Sequence, residues 1–98
     1  TVGLIQQRVA GYFQLDVETL RGASRHRSIL QPRQLAMFLC RRLTDASLPE
    51  IGRAFGGRDH TTVLHAVGKI EREIAQDLHK KNLIDHLNQL IVASSQAG

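Results

Sequence analysis

The sequence predicts an all-α domain of about six helices that contains a helix-turn-helix. Apolar residues recur at helical spacing along most of the chain, and no segment alternates as a strand would. Two adjacent predicted helices, about 48–55 and 60–77, are joined by a short turn that contains glycine. With 98 residues, of which 42% are apolar, residues 1–98 have the size and composition of a single globular domain.

The first two predicted helices precede a basic loop. An apolar repeat from Val2 to Phe13 predicts the first helix. The string "DVETLRG" predicts a short second helix, capped by Asp16 and closed by Gly22. The next string, "ASRHRSI", has no apolar period and is predicted to be a loop.

Proline and capping residues place the next two helices. Pro32 suits the first turn of a third helix that runs to about Asp45, because the missing N–H has no partner to lose there. The string "SLPE" predicts a capping box between Ser47 and Glu50 at the start of a fourth helix, which should end at the two glycines 56–57.

The fifth predicted helix follows Asp59 and runs to about Asp77. An apolar stripe faces the core, and the opposite side is polar, small and basic, without an acid on its first three turns. Gly52 on the preceding helix would let the two helices approach closely. The stripe consists of Val63, Val67, Ile70 and Ile74. The string "NLIDHLNQLIVASS" predicts a last amphipathic helix.

Positive charge is concentrated in the middle of the chain. The formal net charge is +4, but residues 21–72 hold ten basic and four acidic residues. No acid occurs between Arg21 and Thr44. Such a distribution is typical of a surface that binds a polyanion such as a nucleic acid.

Several other classes of protein are disfavoured. The single Cys40 cannot form an internal disulfide and lies among apolar residues, which indicates a buried thiol in a cytoplasmic protein. No apolar run is long enough to span a membrane, and no signal peptide is recognisable. His60 and His65 lie about 140° apart around a helix, so a shared metal is not expected. Without a nucleophile paired to a histidine, we do not expect an enzyme.

The strings "QPRQLAMFLCRRLT" and "SLPEIGRAFGGRDHTTVLHAVGKIE" closely resemble the C-terminal DNA-binding domain of the DnaA family, the bacterial initiators of chromosome replication. The resemblance runs from about Ile5 to Glu73, and "GGRDHTTV" is highly specific. It implies a Trp-repressor-like fold that binds double-stranded DNA at DnaA boxes of the TTATNCACA type. No G-x-x-x-x-G-K-[ST] occurs, so the family's ATP-binding part is not expected here. This domain should need no cofactor and should be monomeric.

Five residues are predicted to contact bases. Asp59 can cap the fifth helix, which alone would account for it, and can also accept from a cytosine N4 or an adenine N6 amino group. His60 can donate to guanine N7, and Thr61 can offer a methyl or a hydroxyl group. Arg58, in the turn, could reach a base or a phosphate. By resemblance, Arg25 is the loop arginine that enters the minor groove.

A second set is predicted to contact phosphates. Thr62, His65 and Lys69 lie on the outward side of the fifth helix or flank it. Arg33 and Gln34 resemble family residues that bind phosphate. The N–H groups near Leu48 lie at the positive end of the fourth helix. The full set is Arg27, Arg33, Gln34, Arg41, Leu48, Thr62, His65 and Lys69.

A protein of another class also fits the charge distribution. A helical interaction domain could use the same basic face to bind an acidic protein partner. A duplex that contains a DnaA box separates the two hypotheses, because a protein adaptor would not distinguish it from a scrambled duplex.

Overall fold

Six helices form the fold in the structure, a computed structural model that describes the backbone of residues 1–97 and the side chains of residues 1–93. They are α1 (Val2–Tyr12), α2 (Val17–Arg21), α3 (Arg27–Leu43), α4 (Leu48–Ala54), α5 (His60–Gln76) and α6 (Leu78–Ala97). Over these residues no strand occurs. The prediction of an all-α fold with a helix-turn-helix is confirmed, with α4 and α5 ending one residue before their predicted limits.

Helix α3 is the centre of the fold. Its residues from Leu35 to Cys40 are all buried, which is expected of a helix covered on every side. It packs against α1, α2, α4 and α5. Cys40 is fully buried, and desolvation raises the pKa of its thiol to about 12. The thiol is therefore neutral and enclosed, as the sequence indicated.

The start of α3 differs from the prediction. The helix begins at Arg27, where the carbonyl of His26 accepts from the amides of Ile29 and Leu30 at 2.9 and 2.7 Å. Pro32 therefore lies in the second turn rather than the first, and its ring removes the bond to the carbonyl of Ser28. The half-buried Ile29 and Leu30 extend the apolar side of the helix toward its start, which favours the longer helix.

Helix α2 lies where it was predicted, but its cap differs. Asp16 occupies the N-cap position, but its side chain accepts no capping hydrogen bond. The helix is held instead by Leu20, which is fully buried, and by arginine side chains that bind its carbonyls.

Helices α4 and α5 pack closely across a tight turn. The predicted capping box is present, since the Glu50 amide donates to Ser47 Oγ and the Ser47 amide donates to Glu50 Oε1, each at 3.2 Å. A Cβ atom at Gly52 would lie 2.1 Å from the carbonyl oxygen of Arg58, so only glycine fits there. Gly56 and Gly57 have φ of +81° and +79°, the left-handed region that glycine adopts readily.

The predicted stripe of α5 faces the core. Val63 and Ile70 are buried, and Val67 and Ile74 are half-buried. This fixes which side of α5 is turned outward. No helix in the described residues is both long and apolar enough to cross a membrane.

Candidate nucleic-acid interface

Asp59 caps α5, as predicted. Its Oδ1 accepts from the Thr61 amide at 3.4 Å and lies 2.9 Å from His60 Nδ1. The hydrogen bond from the Thr61 amide, and then the neighbouring His60, lower the pKa of the carboxyl group. Both contacts use the same oxygen, and a carboxylate has acceptor capacity for more. The cap is therefore compatible with a second acceptor role toward a ligand.

Three exposed side chains form the tip of α5: His60, Thr61 and Leu64. Leu64 is 51% exposed, although a leucine in an amphipathic helix usually faces the core. At about 100° per residue it lies about 100° from Val63, between His60 and Thr61. Leu64 was not among the predicted contacts, although a helical projection of the sequence places it beside His60 and Thr61. The tip thus combines two polar side chains with one apolar side chain.

One flank of the tip carries the predicted phosphate contacts of α5. Thr62 and His65 are exposed, and Lys69 Nζ donates to Gln34 Oε1 at 2.9 Å. That bond joins α5 to α3 and leaves the amide nitrogen of Gln34 as a donor. Within the described residues, no three His, Cys, Asp or Glu side chains lie together as metal ligands would.

Arg25 and Arg27 are exposed at the start of α3. Arg25 lies in the segment between α2 and α3, whose turn is closed by the His26 amide donating to Ser24 Oγ at 3.2 Å. Arg27 is the first residue of α3. Both guanidinium groups are therefore available to a ligand, as the prediction requires.

Arg33 does not lie where a phosphate contact was expected. Only 2% of the residue is exposed. Its Nε donates to the Leu20 carbonyl at 2.8 Å, Nη1 to Ser24 at 2.7 Å and Nη2 to Thr19 at 3.5 Å. Because α3 begins earlier than predicted, Arg33 lies in its second turn and its side chain reaches back to α2. Burial, and then the charge of Arg58, lower its pKa.

Arg58 is also directed into the fold rather than outward. It is half-buried, and Nη1 donates to the carbonyls of Arg21, at 3.1 Å, and of Phe55. Its Nη2 donates to the Gly22 carbonyl at 2.5 Å. Burial lowers its pKa. The expected base contact does not agree with this placement, because three carbonyls already hold the guanidinium group.

A basic cleft of about 510 Å³ lies between the Arg25 segment and the α4–α5 turn. Its lining includes four arginines and the side chain of Thr62: Arg21, Arg25, Arg33, Arg58 and Thr62. Of these four arginines, only Arg21 has a carboxylate partner among the ion pairs of the described residues, namely Glu18 at 3.8 Å. The cleft is therefore strongly positive and next to the tip of α5.

The remaining predicted contacts lie at the junction of α3 and α4. Arg41 is exposed, and its Nη1 donates to the Ala46 carbonyl at 3.2 Å. Leu48 is the first residue of α4, directly after the cap residue Ser47. The bond to Ala46 therefore holds Arg41 near the start of α4.

The sequence matches, over residues 2–70, the family model described as the bacterial DnaA protein helix-turn-helix. It is 52% identical over 90 residues to the chromosomal replication initiator protein DnaA of Lactobacillus delbrueckii subsp. bulgaricus. The same protein of Geotalea uraniireducens is 45% identical over 92 residues, and that of Limosilactobacillus fermentum is 54% identical over 77 residues. These matches cover 92%, 94% and 79% of this chain. They cover 20%, 20% and 18% of the relatives, so the chain spans about a fifth of their length.

Proposed function

This chain belongs to the bacterial DnaA helix-turn-helix family, and from that premise we propose that it binds double-stranded DNA sequence-specifically at DnaA boxes. The N-terminal end of α5 enters the major groove, and the Arg25 segment enters the minor groove. The proposal depends chiefly on one observation: the exposed start of α5, capped by Asp59, adjoins a cleft lined by four arginines, of which only Arg21 has a carboxylate partner. The domain acts without catalysis and as a monomer.

The names of the relatives, which are chromosomal replication initiators, support a proposal for the wider role. We propose that the protein to which this domain belongs acts at the replication origin, in the cytoplasm and on the nucleoid. Any ATP-dependent step would lie outside this domain.

Base reading in this proposal has a major-groove and a minor-groove part. Asp59 accepts from a cytosine N4 or adenine N6 amino group, and His60 donates to an acceptor such as guanine N7. Thr61 and Leu64 contact thymine, which is recognised in the major groove by its methyl group. Arg25 is attracted to a narrow minor groove at A·T pairs, where the potential is most negative. Together, these two parts recognise a DNA site that is asymmetric.

Phosphate contacts in this proposal supply register and affinity. They are made by Arg27, Gln34, Arg41, the Leu48 amide, Thr62, His65 and Lys69. If about five phosphates are neutralised, log K should fall with log salt with a slope of about −4 to −5. Arg33 and Arg58 are left out of both sets because their guanidinium groups are bound within the fold.

The test is a titration of a labelled duplex with one box, measured by fluorescence anisotropy. We expect the box to bind at least about a thousandfold more tightly than a scrambled duplex of the same composition. Equal affinity for both duplexes, or a salt slope near zero, would contradict the proposal. Capture of an acidic protein together with equal DNA affinities would favour the interaction domain instead.

A further inference from the structure

Two buried or half-buried arginines hold the segment that carries Arg25. The carbonyls of Thr19, Leu20 and Ser24 accept from Arg33. The carbonyls of residues 21 and 22 accept from Arg58. Five of the six carbonyls from 19 to 24 are therefore bound by guanidinium groups. Residues 19–24, which lead directly to Arg25, are therefore held by side-chain hydrogen bonds along almost their whole length.

The two arginines reach this segment from different parts of the fold. Arg33 belongs to α3, whereas Arg58 is the residue directly before Asp59, the N-cap of α5. Arg58 is in turn held at the turn, because its amide donates to the Gly52 carbonyl at 2.9 Å and its side chain donates to Phe55. A single side chain thus connects the start of α5 to the end of α2.

Retaining these two groups has an energetic cost. Burial disfavours each charge, and the charge of Arg58 further disfavours that of Arg33. Among the described residues neither arginine has a carboxylate within 4.0 Å. Main-chain carbonyls satisfy the donors but do not neutralise the charge. Filling this space does not by itself require a charged side chain, so what the two arginines add is their hydrogen bonds to carbonyls of residues 19–24.

We propose that Arg33 and Arg58 are positioning residues that set the distance between the minor-groove contact of Arg25 and the major-groove contacts of α5. The inference rests on the proposed function. Arg25 follows Ser24 directly, and consecutive Cα atoms are about 3.8 Å apart, so binding the Ser24 carbonyl places the base of the Arg25 side chain. Arg58 directly precedes Asp59, and its side chain ties this start of α5 to the carbonyls of residues 21 and 22. With both readers placed in advance, less conformational freedom is lost when DNA binds.

Arg58→Lys tests the idea while keeping the charge. One ammonium group cannot occupy the positions of Nη1 and Nη2 together, so the connection between the turn and residues 21–22 should loosen. Arg8→Lys, on the exposed surface of α1, is the matched control and should bind like the wild type. Thermal melts select a temperature at which every variant is fully folded. If Arg58→Lys does not fold, Arg33→Lys carries the same expectation.

The readout uses modified boxes. Replacing adenine by 2,6-diaminopurine adds an amino group to the minor groove and leaves the major-groove atoms of adenine in place. A scan with the wild type and Arg25→Ala locates the pair that Arg25 contacts, where only the wild type should lose affinity. At that pair we expect a loss of about tenfold for the wild type and of less than about twofold for Arg58→Lys. A base-pair change read by α5 should still weaken both proteins by a similar factor.

A double-mutant cycle gives a second measurement. If Arg58 positions Arg25, then Arg25→Ala should cost much less affinity in the Arg58→Lys background than in the wild type. The proposal would be overturned if Arg58→Lys lost the same factor of affinity on every duplex. Its response to 2,6-diaminopurine, its response to the base-pair change read by α5 and the cost of Arg25→Ala would then all equal those of the wild type. A wild type that does not distinguish the box from the scrambled duplex would instead refute the proposed function.

Discussion

Gly52→Ala should destabilise the domain strongly, although alanine is the better helix former. An ideal Cβ at this position lies 2.1 Å from the Arg58 carbonyl oxygen, whereas real Cβ contacts are essentially never shorter than 3.0 Å. The α4–α5 turn or α4 itself must therefore move by at least about 0.9 Å, the difference of these distances. The neighbour is a main-chain oxygen, so no change of rotamer relieves the overlap.

The magnitude follows from two opposing terms. Overpacking costs about 1–3 kcal/mol, and we take the upper end because the main chain must move. Helix propensity returns about 1 kcal/mol for alanine over glycine. The net destabilisation is about 2 kcal/mol, which should lower the Tm of a domain of this size by about 8–16 °C.

Thermal and urea unfolding followed by circular dichroism measure the effect. Gly68→Ala is the matched control, since its Cβ would meet only the end of the flexible Arg72 side chain, at 3.4 Å. We expect this control to stabilise the protein by about 0.5–1 kcal/mol. If Gly52→Ala melts at or above the wild-type temperature, the steric reasoning about the α4–α5 approach is wrong.

Three further predictions concern α5 and its N-cap. The pKa of Asp59 is lower in the folded protein than its ordinary value of 3.8. The ionised carboxylate therefore stabilises the fold at pH values above 3.8, and this stabilisation is lost as the pH falls through the pKa of the folded protein. Asp59→Asn should therefore flatten the decline of Tm on acidification below about pH 5, and an unchanged decline would exclude the effect. His60→Ala should cost about 1–3 kcal/mol of binding on the box alone, whereas Lys69→Ala should weaken box and random DNA alike. Equal losses on both duplexes for both variants would refute this division between bases and phosphates. Leu64→Ala should remove the preference for thymine over uracil at one position of the box. Single deoxyuridine substitutions measure this preference, and a variant that retained it at every position would show that Leu64 does not contact a base.

Features that connect neighbouring residues were predictable from the sequence. The capping box of Ser47 and Glu50 and the cap by Asp59 involve residues two or three positions apart, so their residue types and spacing are sufficient signals. Gly52 was recognised because a small residue is required where two helices approach closely. The bounds of α4 and α5 followed from the same local signals.

The positions of Arg33 and Arg58 were not predictable in this way. Arg33 binds a carbonyl 13 residues away, and Arg58 binds one 37 residues away. The start of α3 was also misplaced, because Pro32 fits a first turn well and the contacts of Ile29 and Leu30 were not visible.

The helices, their capped ends and the excess of positive charge could all be derived from local patterns along the chain. Which arginines remain available to DNA could not. A guanidinium group donates equally well to a phosphate oxygen and to a main-chain carbonyl, so its chemistry does not reveal its partner. The folded chain decides by the oxygens that it brings near: Arg33 and Arg58 meet carbonyls of α2 and the segment after it, whereas Arg25 and Arg27 remain exposed.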